Sequence, residues 1–175
     1  MNDLVKQAKR RLRWNRKSID VMGRAFVACR PASKKSLLAT EQRLGFKIPD
    51  TLRKIYLEAA NGGFGPGYGV MGVDDGFMDD SGNTVADLYE KYRRPDPEDP
   101  AWQWPEYLLP FCYWGCGVYS ALDCSKEPSP VLYIDVSVKE AGEPMESIIR
   151  FHKSSIEDWL SDWLAGKDLW HEVWS

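Results

Sequence analysis

The chain has 175 residues, of which 43% are hydrophobic and 28% charged, and both shares are typical of one globular domain. No stretch approaches the roughly 18 consecutive apolar residues of a membrane span. No apolar segment follows the basic start, so a secretory signal is not predicted either. Four cysteines are too few for a disulfide scaffold of this length and are typical of reduced thiols in a cytoplasm.

The net charge of −3 conceals an asymmetry along the chain. Residues 1–35 hold eleven Lys and Arg against two Asp, a net of +9, and the other 140 residues hold twelve against twenty-four Asp and Glu, a net of −12. We therefore divide the chain into a basic helical arm, 1–32, and an acidic body, 33–175. The arm suggests a nucleic acid or an acidic surface as partner, whereas the larger body suggests a basic partner.

Helical periodicity predicts three helices in the first third of the chain. The first is a basic helix from Asn2 to Trp14. A second, capped by Ser33, is expected to end at Leu44, with Gly45 in the left-handed conformation after it. Pro49 is expected to open the third, and Asn61 to Gly67 to link it to the first strand with at least one glycine at positive φ. The apolar stripe of the first helix consists of Leu4, Val5, Ala8 and Leu12.

The hydrophobic period then changes from helical to strand-like. Strands are predicted at residues 68–73, 108–114, 118–122, 131–136 and 147–152. A helix over 84–92 capped by Asn83 and a proline-rich loop over 95–105 separate the first two. A capping box of Ser154 and Glu157 predicts a last long helix, which Gly166 interrupts. If helical register continued past that glycine, a buried stripe would contain Trp159, Trp163, Trp170 and Trp174.

This order of elements predicts an α+β fold. The last four strands follow one another too closely for crossover helices, so they should pair antiparallel. The expected single domain has N-terminal helices, a central, mainly antiparallel sheet and C-terminal helices.

Two stretches resemble the signatures of the SUKH superfamily, the proteins related to the yeast cell-wall-assembly regulator. The first signature contains Glu41, Gly45, Pro49, Asn61, Gly62, Gly63, Phe64, Gly65 and Pro66. The second is the Trp114-Gly115 step between two strands. The resemblance runs from about Ser33 to Ser161. It implies a non-catalytic protein-binding domain without a cofactor, and bacterial members are mostly viewed as immunity proteins that neutralise polymorphic toxins, many of them nucleases.

Acidic residues in two loops are the candidate partner-binding residues. They are Asp74, Asp75, Asp79 and Asp80 in the first loop and Asp96, Glu98 and Asp99 in the second. As exposed carboxylates, the first four should repel one another, and a basic partner would relieve that repulsion. Their replacement by Asn should then leave folding nearly unchanged. We therefore predict an immunity protein that binds a toxin with a basic face.

The alternative is a nucleic-acid-associated or regulatory protein that acts through the basic arm. The sequence favours it less, because the arm holds one aromatic residue, Trp14, and no recognisable nucleic-acid motif. A helix docked by Leu4, Ala8 and Leu12, with its charges in water, is the favoured interpretation of the arm. Neither a membrane nor a nucleic acid is a favoured partner.

Catalytic and metal-binding interpretations are weaker still. The glycine-rich run 61–72 lacks the Gly-Lys-Ser/Thr of a phosphate-binding loop and follows a helix instead of a strand. We expect no metal, cofactor or disulfide and no enzymatic activity, with a hydrolase as the least favoured alternative. A zinc site would need Cys112, Cys116, Cys124 and His152, whose spacing is not that of a zinc motif. A hydrolase would need Cys116, His152 and Asp123, which no nucleophile motif surrounds.

Overall fold

The computed structural model describes residues 3–19, 23 and 25–174. In this part of the chain the helices are α1 (Asp3–Trp14), α2 (Lys34–Leu44), α3 (Asp50–Glu58), α4 (Val85–Arg93), α5 (Ile156–Leu164) and α6 (His171–Trp174). The strands are β1 (Lys17–Ile19), β2 (Ala25–Val27), β3 (Gly69–Val70), β4 (Leu108–Gly115), β5 (Val118–Asp123), β6 (Val131–Asp135) and β7 (Ile149–Lys153). Among the described residues, no helix has the length and apolar character needed to cross a membrane.

The central sheet has the strand order β3-β4-β5-β6-β7, and every neighbouring pair is antiparallel. The predicted antiparallel α+β fold is therefore confirmed. Strands β1 and β2 form a separate hairpin that the sequence did not predict. The strand predicted over 68–73 is only two residues long. The N–H of Met71 still donates to Phe111 of β4, but the residues after it form hydrogen bonds with other partners. The backbone N–H of Gly72 donates to Phe77, and that of Val73 to the side chain of Asn61.

Two helix caps differ from the predicted ones by one residue. Thr84, and not Asn83, caps α4: the side chain of Asp87 accepts from the Thr84 backbone N–H at 2.9 Å, which completes a capping box. Ser155, and not Ser154, caps α5 and accepts from the N–H of Asp158 at 3.1 Å. Asn83 was an equally suitable cap by residue type, but its side chain is used elsewhere.

The tryptophans near the C-terminus do not lie along one continuous helix. Trp159 and Trp163 are buried in α5, which ends at Leu164 ahead of Gly166 at φ +76°. Trp170 follows this break and packs on Trp114, with ring centroids 5.5 Å apart. The side chain of Trp174 lies outside the described part of the structure.

Helix α1 docks on the body, as the sequence predicts. Val5, Ala8 and Leu12 are buried where α1 contacts α3 and α5, and the predicted contact residue Leu4 is half-buried. Arg11 fixes the rotation of the helix, because its guanidinium donates to the carbonyl of Trp163 at 3.0 Å and lies 4.5 Å from the centre of that ring.

Asn61, buried where the chain leaves α3, holds the loop that follows β3. Its Oδ1 accepts from the N–H of Val73 at 2.8 Å, and its Nδ2 donates to the carbonyl of Asp74 at 3.2 Å. Its own carbonyl accepts from the N–H of Phe77 at 2.9 Å. One side chain and its peptide group thus anchor both ends of residues 73–77.

The glycines after Asn61 allow this loop to lie against β3. Gly62 has φ +79°, and a Cβ there would lie 2.7 Å from the carbonyl oxygen of Val70 and from the backbone nitrogen of Gly72. Only glycine fits such an approach without a backbone shift. The predicted link over Asn61–Gly67 with a glycine at positive φ is confirmed.

Replacing Asn61 by Ala should lower the free energy of unfolding by about 1–3 kcal/mol, because the buried N–H of Val73 loses its acceptor. Urea unfolding of the variant and the wild type measures the difference. Asn15→Ala is the matched control: its exposed side chain accepts one bond, from the N–H of Lys17 at 3.3 Å, and its loss should cost about 0.5 kcal/mol or less. Equal stabilities of the two variants would contradict this role of Asn61.

Candidate functional site

The structure divides the candidate acidic residues into two groups. Asp74, Asp79 and Asp99 are engaged in folding contacts. The other four are exposed, and none forms an ion pair with a described residue. We call these four the acidic face; they are Asp75, Asp80, Asp96 and Glu98.

Asp79 is a structural residue, so the expectation that the four aspartates of the first loop are all exposed is wrong. It is buried, and its carboxylate accepts from the N–H groups of Ser81 and Asn83 at 3.0 and 2.8 Å and from the Asn83 amide. Asp74 is half-buried and pairs with Arg43 at 2.9 Å. Buried carboxylates are tolerated only when donors surround them, which is the case here.

Asp99 holds the second loop. Its carboxylate accepts from Lys139, from the N–H of Gly142 at 2.9 Å and from the N–H of Ala101 at 3.1 Å. The Lys139 ammonium, itself almost fully buried, holds the pKa of Asp99 below its ordinary value. Asp96 stays exposed, and its carboxylate accepts from the N–H of Glu98 at 2.9 Å.

A row of aromatic rings connects the two acidic loops across one side of the sheet. Tyr113 stacks on Tyr119 at 5.1 Å, Tyr119 meets Tyr92 at 5.9 Å, and Tyr92 meets Trp102 at 5.5 Å. At one end the hydroxyl of Tyr113 donates to Asp80 at 3.1 Å. Burial, followed by the Asp80 carboxylate, raises the pKa of Tyr113 to about 12, so this hydroxyl keeps its proton at neutral pH.

The other end of the row reaches the second loop. Trp102 donates its backbone N–H to the carbonyl of Asp99 at 2.9 Å and its indole N–H to the carbonyl of Tyr92 at 2.7 Å. Both acidic loops therefore attach to the same side of the sheet.

A small cleft opens beside Asp80, between the β1–β2 hairpin and the loop after β3. Its volume is about 240 Å³. Phe26 and Phe77 form part of its wall with ring centroids 5.5 Å apart, and Met78 is 49% exposed at its edge. We call it the aromatic cleft; it is lined by Ala25, Phe26, Tyr68, Phe77, Met78, Asp79 and Asp80.

Glycines of the first signature stretch and of β3 make room for the hairpin that closes this cleft. A Cβ on Gly63 would lie 2.7 Å from the carbonyl oxygen of Val27, and one on Gly69 would lie 2.8 Å from the ring of Phe26. Larger residues would push the hairpin away. The glycine-rich run therefore allows the hairpin to approach closely enough to form one wall of the cleft.

Other signature residues stabilise the core. Glu41 accepts from the N–H of Ile48 at 3.0 Å and pairs with Arg53 at 2.8 Å, which ties α2 to α3. The indole N–H of Trp114 donates to the hydroxyl of Ser120 at 2.9 Å across β4 and β5. The remaining signature residues have related roles: Gly45 and Gly115 have positive φ, Pro49 occupies the N-cap position of α3, Phe64 is buried, and Pro66 accepts from Gly69.

The sequence did not identify Phe26, Tyr68 or Met78 as site residues. They come from three separate segments, and no spacing rule links a hairpin in the arm to a loop some fifty residues later. The only available signal was the pairing of apolar residues with Asp79 and Asp80 in the first loop, because aromatic residues and Met are enriched at protein interfaces.

The described residues do not form the zinc site or the Cys–His–Asp site considered as alternatives. Among the described residues, no group of three or more His, Cys, Asp or Glu could hold a metal ion, and the four cysteines are free. Cys116 lies just before β5 and Asp123 ends it, so about 16 Å of extended strand separates them. Burial raises the pKa of the Cys112 thiol and lowers that of the His152 imidazole, which disfavours the charged form of each.

Asp79→Ala should lower the free energy of unfolding by about 1–3 kcal/mol, because two loop N–H groups and the Asn83 amide lose their acceptor. Asp80→Ala should change it by less than about 1 kcal/mol, because Asp80 is exposed and accepts only from Tyr113. Thermal and urea unfolding of both variants provide the comparison. A larger loss of unfolding free energy in Asp80→Ala than in Asp79→Ala would contradict the structural role of Asp79.

Comparison with known proteins supports the resemblance seen in the sequence. Residues 31–162, well over half of the chain, match the model of the SMI1 / KNR4 family (SUKH-1). A search of curated proteins finds no match. The matched segment contains both signature stretches and begins after α1 and the β1–β2 hairpin. The chain therefore belongs to the SMI1 / KNR4 family (SUKH-1).

Proposed function

We propose that this protein is a non-catalytic, immunity-type protein that binds and neutralises a toxin through its acidic face and aromatic cleft. The observation that carries the proposal is a set of four exposed carboxylates without ion-pair partners among the described residues, one of which, Asp80, lines a cleft with half-buried aromatic rings, in a member of this family. The partner would present a basic surface, such as the substrate-binding face of a nuclease.

The acidic face supports rapid association with such a partner. Asp75 and Asp80 lie in one loop and Asp96 and Glu98 in the other, and all four are exposed. Complementary charge raises association rates and excludes partners of like charge. Because the four carboxylates lack cations of their own among the described residues, a basic partner gains their attraction without breaking an existing pair.

The aromatic cleft supports anchoring by a single basic side chain. Its volume of about 240 Å³ is below the range of roughly 300–1,000 Å³ usual for small-molecule sites. An arginine stacks on aromatic rings and pairs with carboxylates through its planar guanidinium. Phe26, Phe77 and the carboxylate of Asp80 offer both contacts, so we assign the cleft to an arginine of the toxin.

The combined variant Asp75→Asn/Asp80→Asn should keep its stability and lose affinity for the toxin, mainly through slower association. We expect about a tenfold lower association rate at low salt, with the difference disappearing near 1 M salt, where screening acts within about 3 Å. Surface plasmon resonance on the toxin encoded beside this chain, or on the protein that co-purifies from the host, measures the rates. Asp50→Asn/Asp158→Asn is the charge-matched control, with both carboxylates exposed at the starts of α3 and α5.

Phe26→Ala should speed dissociation of the toxin instead. If the cleft anchors the interface, the binding free energy should weaken by about 2 kcal/mol, which is a roughly thirtyfold higher Kd.

Replacing the outward cations of α1, Lys6, Lys9, Arg10 and Arg13, by Gln should leave toxin binding unchanged. If the α1 variant loses toxin binding while Asp75→Asn/Asp80→Asn retains it, the toxin binds the basic helix and not the acidic face.

A further inference from the structure

The basic residues of α1 form a second charged surface, opposite in sign to the acidic face. Of the five cations in this helix, Arg11 is turned inward onto Trp163 and the end of α5. The other four are exposed, and none pairs with an acidic residue in the described part of the chain. Together with Trp14 they make up what we call the basic face; the cations are Lys6, Lys9, Arg10 and Arg13.

The helix places these four cations next to one another. Lys6 and Arg10 are four residues apart, as are Lys9 and Arg13, so each pair lies on the same side of the helix and repels. At a rise of about 1.5 Å per residue the set spans about 10 Å. Asp3 is the acidic residue in the first turn of α1. Its carboxylate accepts a hydrogen bond from the side chain of Gln7 at 2.8 Å and not from one of these cations. The repulsion is therefore left for a partner to relieve.

Trp14 extends the same surface. It is 82% exposed, the highest value among the large exposed hydrophobic residues, and lies one turn after Arg10. It is not needed for docking, because Val5, Ala8 and Leu12 already form the buried contact. An indole beside cations can stack on a nucleobase while the cations contact the flanking phosphates.

We propose that the basic face binds single-stranded nucleic acid, with the four cations on phosphates and Trp14 stacked on a base. A lipid surface fits less well, because an interfacial helix must insert its apolar side and that side of α1 is buried against α3 and α5. A duplex fits less well, because its bases are already stacked and cannot receive Trp14. The sequence alone did not favour a nucleic acid as partner. The structure favours one because Trp14 and the four cations are exposed together on the same helix.

Fluorescence anisotropy with labelled RNA and DNA strands of about 20 nucleotides tests the proposal on the full chain. Four phosphate contacts predict a slope of about −3 for the logarithm of the binding constant against the logarithm of salt concentration. The variant with Gln at Lys6, Lys9, Arg10 and Arg13 should lose this slope and bind at least about tenfold more weakly near 0.05 M salt. Trp14→Ala should bind about fivefold to a hundredfold more weakly while keeping the slope. Comparison of the Kd values for the RNA and the DNA strand shows which nucleic acid is preferred.

The control carries the same charge change on other surfaces, with Gln at Lys34, Lys35, Lys91 and Lys126, which are exposed. It should bind within about twofold of the wild type, since non-specific affinity depends on local phosphate contacts. Three results would overturn the proposal: no binding of either strand near 0.05 M salt, an equal loss in the control, or equal binding to phosphatidylserine vesicles. Circular dichroism melting of each variant verifies that α1 remains folded.

Discussion

The first acidic loop and the aromatic cleft beside it depend on one buried amide. Asn61 receives the N–H of Val73 and that of Phe77 and donates to the carbonyl of Asp74, so it takes the place of a neighbouring strand for this stretch. Hydrogen bonding to β4 ends after Met71 for that reason, and the chain continues as a loop. Phe77, at the end of this stretch, forms part of the wall of the aromatic cleft and is positioned by its bond to Asn61.

The carboxylates of the two acidic loops have separate tasks, and burial determines which one each performs. Asp79 and Asp99 lie where backbone N–H groups converge, and their desolvation is offset by those bonds. Asp75, Asp80 and Asp96 remain in water. Because the buried carboxylates hold the loops in shape, the exposed ones present a charged surface of defined geometry.

The basic arm takes part in both proposed surfaces. Its hairpin brings Ala25 and Phe26 to the aromatic cleft, whose other lining residues belong to the family-matched segment 31–162. Its helix turns Arg11 inward and the remaining cations outward. The opposite charges of the basic face and the acidic face do not neutralise each other in the described structure, since no ion pair joins them. Two partners of opposite charge could therefore bind the same protein without competing for its side chains.

Local patterns in the sequence determined the helices, the antiparallel order of the strands and the glycine link after α3, because each depends on neighbours within a few residues. They also located the acidic loops and the family signature. Only the tertiary structure decided that Thr84 caps α4 while Asn83 serves Asp79, and that Asp79 is buried while Asp80 is exposed. It alone brought Phe26 against Phe77. Burial and such contacts depend on residues far apart along the chain, and no local pattern carries that information.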